Sequence, residues 1–568
     1  MASGFRQQSQ GGKPMTTTFP DYHAYLETFA IDDVVARLDD HCDGRLNAFE
    51  ACCGRHLREG RTEVTALVHE DTRGRITTLS YGELAAESEK LAGWLTEHGL
   101  GEGDRIACML PRSPQLLIAI LASWRIGAVY QPLFTAFGSD SVAYRLERAD
   151  TRLVITDGDN RAKFDGLDRC PPVLVVGGPD AEHGDDLDWA SALAHSPIET
   201  AAPRQSPDAP FLQMFTSGTV GKPKGVAVPL AAMPAFALYM ELAIGLDDCD
   251  RFWNMADPGW AYGLYYAIVG PLLLGVTTHF CESGFSAEGA LSFMERHGIT
   301  NFAAAPTAYR LMKASGLFDD AHERLSLRRA SSAGEPLNTE VVTWVETALG
   351  CSVMDHYGQT ETGMTCCNHH ALAHPKHVGG MGVPMPGYRL AILDAEYNEL
   401  PPGKPGVLAV DIACSPAHFF PGYTWQEKEP FVGGYYLTGD VVQRNEDGSF
   451  QFAGRDDDII TTAGYRVGPT DVENSVLMHP AVAESAAVGQ PDAIRGEIIK
   501  SYVVLRDGVE ASDTLADEIR QQVRERLSTH AFPRVIEFVD TLPKTPSGKI
   551  QRFKLRADAA DKAETTAQ

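Results

Sequence analysis

From Thr78 to Asp157 the apolar positions alternate between a helical period and short continuous runs. LSYGELAAESEKLAGWLTEHG sets Leu84, Leu91 and Leu95 on one helical face and stops at a glycine. GDRIACMLP then predicts a buried strand, PQLLIAILASWRIGA a helix with an apolar face, GSDSVAYRLERAD a polar helix and TRLVITD another strand. The alternation resumes in PVLVVGG, GALSFMERHGITNFAAAP and TEVVTWVETALGCSVMDHYG. Such a pattern predicts α/β structure, with mostly parallel sheets covered by helices.

Near residue 400 the texture changes. LPPGKPGVLAV and the segment 435–458 are rich in Gly, Pro and Asp around the strand-like YYLTG, SFQFAG and IITTAG. This predicts antiparallel strands with tight turns, a small barrel-like part of the large unit. After Gly454 a compact α+β unit remains, ending in the polar tail KLRADAADKAETTAQ. The expected division is 1–454, a connection at 455–458, and 459–568. The longest apolar stretch, Tyr262–Phe280, holds three glycines and a proline, so it predicts a buried core segment and not a membrane span.

Composition narrows the function classes. The 568 residues are 44% hydrophobic and 22% charged, which excludes a disordered, collagen-like or disulfide-scaffold chain. A net charge of −27 argues against nucleic acid or anionic membrane as a partner, but not against a small anion in a locally positive pocket. Eleven cysteines over so long a chain argue for reduced thiols and a cytoplasmic protein, with Cys52-Cys53 read as buried thiols. The polar start shows no secretory pattern; residues 1–14 are read as a leader, with Met15 as the native start.

The most informative stretch is TSGTVGKPKG, Thr216–Gly225. Small residues let backbone N–H groups approach an anion, Thr216, Ser217 and Thr219 add donors, and Lys222 and Lys224 add charge. Gly218, Gly221 and Gly225 supply the backbone freedom. The loop does not fit G-x-x-x-x-G-K-[ST], because Pro223 follows Gly221-Lys222, which argues against a P-loop kinase or ATPase. Alone, it weighs evenly against an ordinary surface turn.

Further segments decide. SAGEPLN at 332–338, DHYGQTETG at 355–363, YLTGD at 436–440, GRDDDIITTAGYRVGPTDVE at 454–473 and LPKTPSGKIQR at 542–552 follow in order. In this order and spacing they resemble the adenylate-forming superfamily of acyl-CoA synthetases, peptide-synthetase adenylation domains and luciferases. The resemblance covers nearly the whole chain after about residue 75. It implies that ATP and a carboxylate give an acyl-AMP and pyrophosphate, and that the acyl group then passes to the thiol of CoA.

The resemblance also implies roles. The loop 216–225 would hold the β- and γ-phosphates, and Gly334-Glu335-Pro336 with Asp355, His356 and Tyr357 would form the adenine slot, next to Gln359. Thr360 would contact the α-phosphate and Glu361 would hold Mg²⁺, a hard cation suited to oxygen ligands. Asp440 would bind the ribose hydroxyls with Arg455 beside it, Arg466 would reach a nucleotide phosphate, and Lys549 would bridge the forming acyl-phosphate oxygens. The C-terminal domain would be mobile, swinging about Asp457 between the two half-reactions, with Gly464 lining a thiol channel and Arg524 meeting CoA phosphates. Arg524 also reads as a solvated residue on the helix face DEIRQQVRERL. His479 in LMHPAV reads equally as part of a second magnesium site or as a helix-end residue. The run Cys366-Cys367-Asn368-His369-His370, with His374 and His377, reads as a loop beside the site ahead of a metal cluster, because adjacent cysteines do not easily face one ion.

Position 358 bears on the acid. Acetyl-CoA synthetases carry a tryptophan there that closes the acyl pocket; here it is Gly358, with Ala261 and Ala333 also small and Trp260 and Tyr262 at the entrance. The expectation is a monocarboxylic acid larger than acetate, in the manner of medium-chain acyl-CoA synthetases. The alternatives are an acetyl- or propionyl-CoA synthetase, or an adenylating enzyme serving a carrier protein. Asp257 precedes its turn and is not expected to reach an α-ammonium group, which disfavours amino-acid substrates. The oligomeric state stays open, a homo-oligomer among the options, as does acetylation and deacetylation of Lys549 by modifying enzymes.

Overall fold

The helices begin and end where local chemistry satisfies their free backbone groups. Tyr81–Glu97 opens on a capping box: Ser80 Oγ accepts from the Glu83 N–H at 3.1 Å and the Glu83 carboxylate accepts from the Ser80 N–H at 2.8 Å. Its Leu84, Leu91 and Leu95 are fully buried, as the period predicts. Pro114–Arg125 follows a Ser113 cap with proline in its first turn. Ala287–His297 stops at Gly298, whose φ of 58° suits a residue without Cβ.

The computed structural model describes residues 19–38, 43–180, 183–216, 223–337, 339–425, 430–455, 458–462, 465–492, 495–527, 531–544 and 549–567. Among these, four sheets organise the chain. A seven-stranded sheet runs Leu187–Asp188, Val173–Val176, Thr151–Asp157, Arg105–Met109, Val129–Pro132, Pro210–Thr216, Lys224–Pro229, parallel except for its last pair. A nine-stranded sheet is parallel through Asn301–Ala304, Arg329–Ala333 and Val353–Gln359 and antiparallel at its edges. The apolar stretch 262–280 lies in the core, with Gly263 to Leu273 buried without a break. No helix among the described residues is long and apolar enough to cross a membrane.

The Gly- and Pro-rich region forms a five-stranded antiparallel sheet centred on Pro405–Asp411 and Tyr435–Arg444. Arg455 ends it, and Ile460 already belongs to a fourth sheet built on the long pair Val482–Asp492 and Gly496–Leu505. That last unit has its own core of Val472, Val476, Ile499, Val503, Ile519 and Val523 beneath helices Pro469–Leu477 and Asp513–Arg526. The cysteines of the described residues are free thiols.

Candidate active site

Parallel strands deliver their carboxyl ends to one rim, and the site is built there. Arg329–Ala333 and Val353–Gln359 are neighbours with Ala333 opposite His356, so the segments Gly334–Leu337 and Tyr357–Glu361 emerge together. Tyr357 and Gln359, two residues apart on one strand, both reach the Asp440 carboxylate on the third sheet. The Tyr357 hydroxyl and Gln359 Nε2 (2.8 Å) share Asp440 Oδ2, and Arg455 Nη1 donates to Oδ1 at 3.3 Å. Arg455 stands directly opposite Asp440 in the strand pairing, which is why the two meet. Gln359 is itself fixed, donating to Thr438 O at 2.9 Å and accepting from the Tyr436 hydroxyl at 2.8 Å. Burial pushes the Asp440 carboxyl up, while Arg455, the two donors and the charge of Lys549 hold it down. The C-terminal unit thus brings Lys549 within electrostatic reach of the first cluster.

A second carboxylate lies close by. Glu361 is buried and accepts the Tyr423 hydroxyl at 2.7 Å; burial raises its carboxyl, and Tyr423 and Lys224 oppose that. The Lys224 ammonium sits 4.4 Å from the centre of the Tyr423 ring, a cation–π contact. Lys224 is the cross-strand partner of Thr216, so these two residues bracket the expected phosphate loop. Ser217, Gly218, Thr219, Gly221 and Lys222 lie outside the described residues. The chain at 423–425 crosses the base of this hairpin: the Thr424 N–H donates to Gly225 O at 3.0 Å, and the Trp425 ring stacks 5.8 Å from Phe215. The Glu361 carboxylate, with one side-chain hydrogen bond among the described residues, keeps lone pairs for a hard cation; one carboxylate plus substrate phosphates is an ordinary Mg²⁺ donor set. Thr360 offers its carbonyl to the Tyr265 hydroxyl at 2.9 Å, which fixes the strand end beside Glu361.

The expected adenine slot divides. Asp355 accepts from the Leu337 N–H at 3.3 Å and the His356 N–H at 3.2 Å, and burial pushes its carboxyl up to about 7. It borders a cavity of about 70 Å³ with Pro336, Leu337, Val378, Phe452 and, from the C-terminal unit, Asn474. Gly334 turns the chain with φ 101°. Glu335 points elsewhere, accepting from Thr307 at 3.0 Å and Arg310 at 2.6 Å. His356 also departs from the expectation. On a strand it must face opposite to Tyr357, and its ring lies in the core, taking the Tyr239 hydroxyl on Nδ1 at 2.7 Å and donating from Nε2 to Asn368 O at 2.9 Å. Burial lowers its pKa to about 3, so it is neutral and spent on structure.

The expected acyl residues bring a correction. Trp260 packs against Phe134 and Phe137 at 5.5 and 5.6 Å, Ala261 opens a short helical turn and Tyr262 lies 5.9 Å from Tyr266. Ala333 is buried at its strand end. A Cβ on Gly358, however, would lie 2.2 Å from Gly363 O and 2.7 Å from Met364 Cα. The pairing slips one residue between Tyr357 and Gly358, and the glycine direction points into the neighbouring backbone. On this backbone a larger residue at 358 would first push on Gly363–Met364, so the strands would have to shift to take it. Asp257 accepts from the Gly259 N–H at 2.8 Å and so caps its own turn.

The remaining candidates scatter. Among the described residues no group of three His, Cys, Asp or Glu side chains could hold a metal ion. His370 meets Ala330 O at 2.9 Å, His374 accepts from the His369 N–H at 2.8 Å, and His377 meets Asp447 at 2.6 Å, while Cys366 and Cys367 are buried in a strand. His479 Nδ1 accepts from the Ala481 N–H at 3.3 Å. Arg524 is exposed, 5.6 Å from the Phe532 ring. Arg466 lies in the strand Tyr465–Val467; Asp457 and Gly464 lie outside the described residues. Sequence reasoning missed Tyr423, for which no local motif exists, and Tyr436, although it opens the YLTGD run.

The chain has clear relatives among known proteins. Residues 55–424 match the AMP-binding enzyme family, and residues 471–549 match the AMP-binding enzyme C-terminal domain. An acetyl-coenzyme A synthetase of Bacillus subtilis (strain 168) is 38% identical over 526 residues, covering 90% of this chain and 91% of that protein. A 4-hydroxybutyrate–CoA ligase 1 of Metallosphaera sedula is 35% identical, covering 89% of each. The crystal structure of an acyl-CoA synthetase from Brucella canis superposes with a TM-score of 0.77 at 46% identity, over 96% of this chain and all of that one. The gathered carboxylates, lysines and arginine, and these likenesses along the whole chain, make this protein a member of the AMP-binding enzyme family, an AMP-forming acyl-CoA synthetase.

Proposed function

We propose that the chain activates a monocarboxylic acid larger than acetate and transfers it to CoA through one rearranging site. A substrate carboxylate oxygen attacks the α-phosphorus of ATP and the bond to the β-phosphate bridging oxygen breaks, giving acyl-AMP and pyrophosphate. The CoA thiol then attacks the acyl carbonyl, AMP leaves and the thiol proton is lost. The observation that supports this reading best is the Asp440 cluster: a fixed carboxylate beside Arg455, with the Lys549 charge acting on it from the C-terminal unit.

In this reading Asp440 accepts the ribose hydroxyls, Arg455 adds a donor, and Lys549 offsets charge on the oxygens between acyl group and phosphorus. One well-placed cation or donor of this kind is worth about 2.7–4 kcal/mol of barrier. Thr216, Lys224 and the loop between them grip the departing phosphates, Thr360 meets the α-phosphate, and Pro336 and Asp355 border the base. Glu361 would hold Mg²⁺, which when bound neutralises phosphate charge. The second step uses the same chain turned about 455–458, with Gly464 and Arg524 toward CoA. The free thiols support a reducing compartment such as the cytoplasm.

Ala261 and Ala333 support a roomy pocket; acetate itself is the second reading, favoured by the Bacillus subtilis relative. Pyrophosphate release measured from acetate through laurate and benzoate, with and without CoA, decides between them. Peak turnover on acetate would overturn the larger acid. Lys549→Ala should abolish acyl-adenylate formation and spare thioester formation from supplied acyl-adenylate. Equal loss of both would overturn the role of the lysine.

A further inference from the structure

Glu361 stands at the tip of a β-hairpin. Gln359 and Gly363 are the last residues paired across it, and the Thr362 N–H donates to Gln359 O at 3.3 Å to close the turn. Hairpin tips ordinarily lie in water and move; here Glu361 and Thr362 are both buried. The carbonyls on either side of Glu361 are met by tyrosines from separate parts of the chain. The Tyr265 hydroxyl donates to Thr360 O at 2.9 Å. The Tyr388 hydroxyl faces two carbonyls at once, Thr362 O at 2.8 Å and Ala417 O at 2.9 Å. Burial pushes both hydroxyls up, so they keep their protons and remain donors. Each tyrosine is itself held. Tyr265 lies in the wide helical turn Leu264–Val269, and its neighbour Tyr266 accepts from the Met364 N–H at 3.0 Å on the return strand of the same hairpin. Wide turns of this kind are rare and collect at functional sites. Tyr388 is fixed through the backbone: its N–H donates to Met385 O at 3.0 Å, the Met385 N–H to Thr365 O at 2.8 Å, and the Ala417 N–H to Gly387 O at 3.1 Å. Six residues beyond Ala417 the chain reaches Tyr423, whose hydroxyl donates to the Glu361 carboxylate at 2.7 Å.

We propose that Tyr388 and Tyr265 are positioning residues that aim the Glu361 carboxylate, so that it meets a phosphate-bound divalent cation already ordered. This rests on the cation role given to Glu361 above. Neither tyrosine hydroxyl bonds the carboxylate; each acts through a peptide group beside it. The contacts close a ring, from Glu361 to Tyr423, back along the chain to Ala417, across Tyr388 to Thr362, and so to Glu361 again. A glutamate on a loose hairpin tip would lose backbone and rotamer entropy each time a cation bound. With both flanking carbonyls tied to buried side chains, that ordering is complete before the cation arrives, and Tyr423 has only the last rotamer to set. The same ring leaves the remaining lone pairs of the carboxylate open, because its anchors are spent on peptide groups. A purely structural pair of tyrosines would instead weaken every ligand of the site alike.

The test reads binding in the intact enzyme, with no carboxylic acid present so that no turnover occurs. Equilibrium dialysis gives the affinity for ATP with Mn²⁺ as the probe cation and for ATP in EDTA, and the ratio of the two reports the cation's contribution. Tyr388→Phe and Tyr265→Phe keep the rings and remove only the hydroxyls. Each should lower that ratio about threefold to tenfold and leave the affinity for metal-free ATP within about twofold. Tyr265→Phe leaves one carbonyl unmet and Tyr388→Phe two, so Tyr265→Phe decides the matter if Tyr388→Phe does not fold. An unchanged ratio, or equal losses with and without the cation, overturns the positioning role. Glu361→Gln, run alongside, tells the two ideas apart. If it leaves the ratio unchanged, the underlying reading of Glu361 fails and this proposal with it. If it abolishes the cation's contribution while both tyrosine variants keep the parent ratio, only the positioning role is wrong.

Discussion

Asp440 and Glu361 are buried carboxylates at one rim, yet their surroundings differ in kind. Asp440 is held by a tyrosine hydroxyl, a glutamine amide and an arginine, and the glutamine is itself locked by Tyr436 and Thr438. Glu361 takes one side-chain hydrogen bond among the described residues, from Tyr423, and feels Lys224 through the same aromatic ring. The first is a finished network, its geometry set before any ligand arrives; the second keeps its lone pairs open. A ribose needs a fixed acceptor, because two hydroxyls must be met at once. A cation needs a carboxylate that can still bond.

This contrast can be broken at either end. Asp440→Asn should have the larger effect, because it removes the charge facing Arg455 and turns one acceptor into a donor beside Tyr357 and Gln359. The expected loss is about 1.5–3 kcal/mol in kcat/KM for ATP, measured by initial rates over a nucleotide titration. Tyr423→Phe keeps the ring under Lys224 and removes only the hydroxyl from Glu361. It should cost about 0.5–1.5 kcal/mol, seen as a roughly twofold to twelvefold rise in the Mg²⁺ concentration for half-maximal pyrophosphate release. If Tyr423→Phe harms the enzyme as much as Asp440→Asn, the two sites are not built differently.

A third carboxyl sharpens the comparison with the smallest effect. Among the described residues Asp355 has two backbone donors and no cation partner, and burial raises it from 3.8 to about 7. Within that window the folded chain keeps a proton that the unfolded chain has released. The linked stability is complete below the unfolded value and is lost as pH rises through the folded one. Thermal midpoints should therefore fall with pH across the window in the parent and fall less steeply in Asp355→Asn. Identical slopes would show that Asp355 is ionised throughout.

Much of this was legible in the sequence, for local reasons. The helical period of Leu84, Leu91 and Leu95 with its glycine stop marks one helix, and the alternation of periods gives parallel sheets. Asp440 and Gln359 sit in short motifs whose order is itself informative. What was not legible depends on direction or on distance along the chain. Residue type at 358 says nothing of where its Cβ points, and one slipped pair sends it into the adjoining backbone. His356 lies inside a recognisable motif, yet strand alternation turns it away from Tyr357. Tyr423 meets Glu361 across 62 positions and Arg552 meets Glu473 across 79, separations that no local pattern encodes.

The stacked pair Phe215 and Trp425 has an optical consequence. Trp425 is 48% exposed, whereas Trp94, Trp124, Trp189 and Trp253 are buried. Its indole therefore lies partly in water beside the strand end that leads into the proposed phosphate loop, and under that proposal its emission should respond to ATP while the buried indoles stay constant. Trp425 would then serve as a built-in fluorescent gauge of nucleotide arrival, and Trp425→Phe should silence it.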